Sequence, residues 1–197
     1  RKRQFIDELM PHAQAAEAAT GVPARFILAQ AALESGWGAR EIKGAEGQAS
    51  FNLFGIKAGR GWAGETVETT TTEYRQGIAM KQTQSFRAYA DYGAAFTDYA
   101  NLLRNRYGEA LRAGDDAGAF ALGLAEGGYA TDPAYAGKLK AVIASVAMAP
   151  PGSRPGMIAF ARSPTTVPKP IHTRIVLVHW PACSMNCALK ASILSLS

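Results

Sequence analysis

Glu34 stands in the stretch Ala32-Leu33-Glu34-Ser35-Gly36-Trp37-Gly38, one carboxylate at the end of an apolar helical run, set against a glycine-flanked tryptophan. A carboxylate near a helix C-terminus faces the negative end of the macrodipole, and burial beside Trp37 deprives it of water. Both effects raise its pKa. An acid kept protonated near neutral pH can hand a proton to a leaving oxygen, which is the work of a general acid. Position alone fits an ordinary solvated glutamate at a helix end better, so Glu34 acquires a role only through the residues around it.

The elements that must position it are mostly helical. Phe5, Ile6, Leu9, Ala13 and Ala16 recur at helical spacing, Pro11 predicts a kink, and Gly21 ends the segment. Pro23 suits a first helical position, and Phe26, Ile27, Gln30, Leu33 and Glu34 follow on one broad face. Between Gly59 and Tyr89 the helical period disappears. Residues 65–74, Glu-Thr-Val-Glu-Thr-Thr-Thr-Thr-Glu-Tyr, are rich in the β-branched side chains that fit a pleated surface. With Arg75-Gln76-Gly77 as a turn and a returning strand from Ile78, they predict a β lobe of two or three strands spanning about residues 60–89. On such a strand Glu65, Val67, Thr69, Thr71 and Glu73 share a face and Glu68 points away. Helices resume at Asp91, with Asp115 or Asp116 capping another and Thr131-Asp132-Pro133 opening the last. The expected body is α+β, with five or so helices and a β excursion after the second.

Composition narrows the function classes. The five basic residues Arg154, Arg162, Lys169, Arg174 and Lys190 all follow Pro150 and every acid precedes it, so 16 basic and 16 acidic residues balance over residues 1–149. The formal net charge of +5 therefore belongs to the tail, and a nucleic-acid groove in the main domain is not indicated. Seven of the ten prolines fall from Pro150 onward, which divides the chain into a domain at 1–149 and a basic, Pro-rich extension at 150–197, read as disordered or loosely packed. Within the extension, Ile175-Val176-Leu177-Val178 is a possible strand, and Cys183 and Cys187 lack the partners a zinc site needs. No apolar run is long enough to span a bilayer. Arg1 in place of methionine reads as the edge of a longer chain. No residue set suggests a metal or a cofactor, and His12 reads as structural.

Four motifs in order turn these residues into a pattern: Glu34-Ser35-Gly36-Trp37-Gly38, Asn52-Leu53-Phe54-Gly55-Ile56-Lys57, Thr71-Thr72-Glu73-Tyr74, and Gly128-Tyr129-Ala130-Thr131-Asp132-Pro133-Ala134-Tyr135. Over roughly residues 3 to 148 the sequence resembles the glucosaminidases of glycoside hydrolase family 73, in particular members attached to flagellar rod assembly. The resemblance implies a lysozyme-like α+β fold with a cleft between helical body and β lobe. It also implies hydrolysis of the β-1,4 bond between N-acetylglucosamine and N-acetylmuramic acid in peptidoglycan. The family's general acid falls on Glu34, its β-lobe carboxylate on Glu73 and its cleft tyrosine on Tyr129. A periplasmic setting, and flagellar rod proteins as partners through a region preceding residue 1, follow from the resemblance alone.

Around those three, Asn52, Phe54, Gly55 and Tyr74 are expected to line the substrate cleft, and the loop tryptophan Trp62 to stack on a sugar face. Leu53 and Phe54 also suit a core, and Tyr129 an aromatic cap on one. Two other readings keep the same residues: a lytic transglycosylase of this fold, and a peptidoglycan-binding module that has lost catalysis.

Overall fold

The apolar stripe at the start of the chain forms helix α1 (Lys2–Thr20), burying Phe5, Ile6, Leu9, Ala13 and Ala16. The structure, a computed structural model, describes residues 1–75, 78–130 and 132–148, with the side chains of residues 71–75, 78 and 79 outside that description. The expected turn at Arg75-Gln76-Gly77 is thus only partly covered. Thr131, the strand proposed at residues 175–178, both cysteines and the whole tail from residue 149 lie outside the described residues. Helix α1 runs on through Pro11. That proline is on the solvent side, where the Asp7 carbonyl deprived of an amide partner remains open to water.

Helix α2 (Ala24–Ser35) is preceded by Pro23 and closed by Gly36. Pro23 lies one position outside the expected place: it is the N-cap, and its carbonyl accepts the amides of Phe26 and Ile27 at 2.9 and 3.2 Å. Nine of the twelve α2 residues are buried, the mark of a helix with core on nearly every side. Helix α1 packs on it and on α3 (Tyr92–Arg106), and α6 (Tyr135–Ala147) covers another flank. The short α4 (Gly108–Leu111) and α5 (Ala117–Glu126) complete the body. Two stacked aromatic pairs tie these elements together: Phe26 on Phe120 at 4.3 Å, and Phe54 on Tyr99 at 4.0 Å. Two caps are those the sequence suggests, while the last helix begins later than Thr131-Asp132-Pro133 implies, behind an Ala134 N-cap whose amide donates to Asp132. Asp91 accepts from the amide of Ala94, and Asp116 from those of Gly118 and Ala119.

The β excursion follows α2 as one antiparallel hairpin, β1 (Thr66–Arg75) and β2 (Ile78–Arg87), in a register that opposes Val67 to Phe86 and Glu73 to Met80. Lys57 adds an isolated bridge to Phe86, the trace of a third strand. A small cluster of Val67, Phe86 and Ala88 with Ile42 fills the hairpin root, separate from the main core.

Close approach of α4 and α5 depends on a missing side chain. A Cβ on Gly123 would lie 2.9 Å from the Ala110 Cα and 3.0 Å from its Cβ. Ala is normally the better helix former by about 0.5–1 kcal/mol, but overpacking a rigid backbone contact costs about 1–3 kcal/mol. Gly123→Ala is therefore expected to destabilise the fold by about 1–2 kcal/mol in urea denaturation followed by circular dichroism, against the sign of helix propensity.

Candidate active site

The motif after α2 is a tightly tied turn. Gly36 closes the helix at φ +58°, a left-handed conformation suited to glycine, and the Trp37 amide bonds back to the Ala32 carbonyl at 2.8 Å. The Ser35 hydroxyl donates to the Ala31 carbonyl and accepts from the Gly38 amide, at 2.6 and 2.9 Å. Trp37, itself at φ +60°, sends its ring against Phe5 at 5.7 Å with the Lys2 ammonium 5.0 Å above it. The tryptophan thus fastens the turn to α1.

Glu34 ends the buried helix with its Oε1 out of reach of solvent and without a hydrogen-bond partner among the described residues. Burial pushes its pKa up from 4.5 to about 8, opposed by the charge of Arg40. The Arg40 guanidinium is seated over Gly36, where an added Cβ would come within 2.6 Å of its Nη2. Partial burial lowers the pKa of Arg40 in turn, and the nearby Glu34 carboxylate counteracts that. At neutral pH the acid is therefore protonated, and a cation stands ready to stabilise the carboxylate it becomes.

Three tyrosines from distant parts of the chain share its surroundings. Tyr99 on α3, Tyr129 after α5 and Tyr135 on α6 are each buried, with hydroxyls held well above the ordinary pKa chiefly by desolvation and in part by the charge of Glu34. The Tyr99 and Tyr129 hydroxyls lie 2.7 Å apart, and the Tyr135 hydroxyl donates to Gln30 Oε1 at 2.8 Å. Tyr129 is brought here by the Gly127-Gly128 bend, with its amide returning to the Leu124 carbonyl. It packs against Tyr107 and Tyr135 and is only 2% exposed, so it is at once a core aromatic and a neighbour of the acid.

The remaining predicted residues separate. Asn52 is buried and fully committed: Nδ2 donates to the carbonyls of Ile56 and Arg87, and Oδ1 accepts the Ile56 amide, at 2.9, 2.9 and 3.0 Å. It clips the hairpin root to the body, so the expectation that it lines the cleft gives way to a positioning role. Phe54, 3% exposed, stacks on Tyr99 and meets Phe96 edge-on, which makes it core. Gly55 is half-buried at φ +67° with open space where a Cβ would stand, and remains compatible with lining a cleft. Trp62 is half-buried, its Nε1 donating to the Glu65 carbonyl and the Arg87 guanidinium 4.5 Å from its ring. Arg87 also pairs with Asp98 at 2.8 Å, and the same carboxylate oxygen accepts from the Tyr89 hydroxyl at 2.7 Å. Trp62 is thus built into a buttress between lobe and α3, with at most one ring face left for a sugar.

Glu73 and Tyr74 occupy strand positions opposite Met80 and Ala79, and their side chains lie outside the described residues. Along β1, Glu73 stands six residues from Val67, about 20 Å from the hairpin root at ~3.3 Å per residue. A cavity of about 200 Å³ lined by Phe5, Glu8, Trp37, Glu41 and Tyr92, among others, lies on the α1 side of the turn and contains none of the three tyrosines around Glu34. Sequence reading missed Gln30, Arg40, Tyr99 and Tyr135. Gln30 carried a signal, as an amide on an otherwise apolar helical face, and Tyr135 closed the fourth motif without being assigned a role.

A mainly helical body with a buried acid at the end of its central helix and a small antiparallel lobe is a lysozyme-like α+β arrangement. Residues 10–148 match the family model Glucosaminidase, described as mannosyl-glycoprotein endo-beta-N-acetylglucosaminidase. The chain is 47% identical over 142 residues to peptidoglycan hydrolase FlgJ of Escherichia coli, covering 72% of this chain and 45% of that protein. It is 34% identical over 146 residues to exo-glucosaminidase LytG of Bacillus subtilis, covering 71% and 49%. The chain spans about half the length of these curated relatives. Among solved structures, a C-terminally truncated glycoside hydrolase domain from Salmonella typhimurium FlgJ superposes with a TM-score of 0.65 at 44% identity, over 75% of this chain and 98% of that one. The chain belongs to the glucosaminidase family.

The raised pKa of Glu34 makes a stability prediction. The folded state holds this proton up to about pH 8 while the unfolded chain releases it near 4.5, so the contribution of Glu34 is most favourable below 4.5 and is lost as pH rises towards 8. Glu34→Gln, which cannot ionise, is expected to be more stable than the parent by on the order of 3 kcal/mol near pH 8, with the difference vanishing near pH 4. Urea denaturation at the two pH values measures it.

Proposed function

We propose that this chain is an endo-β-N-acetylglucosaminidase that hydrolyses the β-1,4 bond between N-acetylglucosamine and N-acetylmuramic acid in peptidoglycan. The observation that carries the reading is Glu34, a carboxyl kept protonated by burial at the end of the central helix of a glucosaminidase-family domain. In the reaction, Glu34 gives its proton to the glycosidic oxygen as the C1–O bond breaks, and the departing sugar leaves with a free hydroxyl. Glu73 of the lobe meets the positive charge that develops at C1. Water adds its oxygen there and surrenders a proton, and Glu34 regains one before the next turnover. The separation between the two carboxylates sets the stereochemistry, roughly 5 Å for a nucleophile and roughly 6.5 to 9.5 Å for a base acting through water. Tyr129, linked to Tyr99, positions the acid, and Gly55, Tyr74 and the free face of Trp62 contact the glycan.

The same reading sets the enzyme in the periplasm, opening the wall for passage of the flagellar rod, with rod proteins as partners through a region preceding residue 1. It is supported by the FlgJ relatives. Among the described residues no helix is long and apolar enough to cross a membrane.

Digestion of purified peptidoglycan with reducing-end analysis by mass spectrometry tests the activity. The parent chain is expected to release fragments ending in reducing N-acetylglucosamine, Glu34→Gln to lower the rate by about 10²- to 10⁴-fold, and Glu73→Gln to lower it severely as well. Anhydro-sugar ends that persist in Glu73→Gln would identify a transglycosylase instead, and binding without release a silent module. We further propose that residues 1–149 are the whole catalytic unit; a chain ending at Ala149 is expected to digest peptidoglycan at the parent rate in the same assay.

A further inference from the structure

Gln30 lies one helical turn before Glu34 on the same face of α2 and is 0% exposed. Its amide is anchored at one end only. The Tyr135 hydroxyl donates to Oε1 at 2.8 Å, whereas Nε2 has no hydrogen-bond partner among the described residues. Four buried side-chain polar atoms share that condition, and two of them, Gln30 Nε2 and Glu34 Oε1, project from neighbouring turns of one helix. One is a donor and the other an acceptor. The Tyr135 hydroxyl accounts for the oxygen end of the amide, whereas nothing among the described residues accounts for its buried N–H₂.

Resting on Glu34 as the general acid, we propose that Gln30 is a positioning residue for it: Tyr135 fixes the amide by its oxygen, leaving the N–H₂ to donate to the Glu34 carboxylate when the acid has given up its proton. While Glu34 is protonated the two groups need no bond. As negative charge grows on the carboxylate in the transition state, a preoriented donor one turn away stabilises it at no cost of reorganisation. Among the described residues, the charged and titratable groups that act on Glu34 from the surrounding elements are Arg40 after α2, Tyr99 on α3, Tyr129 after α5 and Tyr135 on α6. Of these only Arg40 is a cation. Gln30 adds a neutral donor from within the helix, and hydrogen bonds to a charged acceptor are among the stronger ones.

The test compares the parent with Gln30→Met, Tyr135→Phe and Glu34→Gln. Peptidoglycan turnover is followed across pH, and the ionisation of Glu34 is read directly from its side-chain carbonyl carbon by NMR titration. In Gln30→Met, kcat is expected to fall about tenfold or more with KM little changed, and the Glu34 titration to move up by about one pH unit. Tyr135→Phe, nearly isosteric and safer for folding, is expected to move the titration in the same direction by less, because the amide remains but is no longer anchored. The double variant is expected to fall short of the sum of the two. A folded Gln30→Met or Tyr135→Phe with the parent titration and pH profile would overturn the proposal and make Gln30 a core residue. Full activity in Glu34→Gln would instead overturn the general-acid reading on which it rests. The titration separates the two failures, since it does not depend on turnover.

Discussion

Keeping one oxygen of a half-buried carboxyl group, Glu34 Oε1, away from water is the constraint that orders this structure. Helix α2 is buried on nearly every side, and its last turn delivers Glu34 to a place with no solvent contact at Oε1. Other features serve that delivery. Gly36 and Ser35 stop the helix abruptly, Trp37 pins the exit to α1, and tyrosines from α3, the loop after α5 and α6 meet around the acid. A carboxyl with one oxygen buried and without a partner among the described residues is tolerated because it can stay neutral, which is the form that proton donation requires.

Burial and charge play opposed parts around Glu34, and the balance between them is what makes the acid usable. Desolvation outweighs the attraction of Arg40, so the proton stays on; the guanidinium over Gly36 prevents the shift from going so far that the proton could never leave. The hydroxyl network of Tyr99, Tyr129 and Tyr135 adds polarity without charge, since burial keeps all three protonated. Among the described residues the pocket is thus polar with Arg40 as the cation that acts on Glu34, a setting in which small changes in hydrogen bonding count heavily.

Much of this was legible in the sequence because it is local. The loss of helical period after Gly59 announced the lobe, Asp91 and Asp116 announced their helices, and the apolar run ending at Glu34 announced a buried acid. The assembly of the pocket was not legible. Tyr99, Tyr129 and Tyr135 are far apart from Glu34 along the chain, and nothing in their spacing says that their hydroxyls converge. Asn52 and Trp62 looked like surface polar and aromatic contacts because types that recognise sugars are also types that fasten loops. In this fold the Asn52 amide is spent on three backbone partners, and Trp62 is buttressed by Arg87.

The Asn52 clip has a bearing on how the lobe can vary. Because it joins the backbone at Ile56 to that at Arg87, the base of the hairpin is set when the helical body folds, and strand length alone then decides where Glu73 is carried. A strand advances about 3.3 Å per residue and reverses its side chains at every step. One residue gained or lost between Val67 and Glu73 would thus turn the carboxylate to the opposite face, whereas a change of two would keep its face and shift its reach by about 7 Å. The parity of the lobe thus fixes the face of β1 on which residue 73 stands: only insertions in pairs lengthen the ribbon and keep that face.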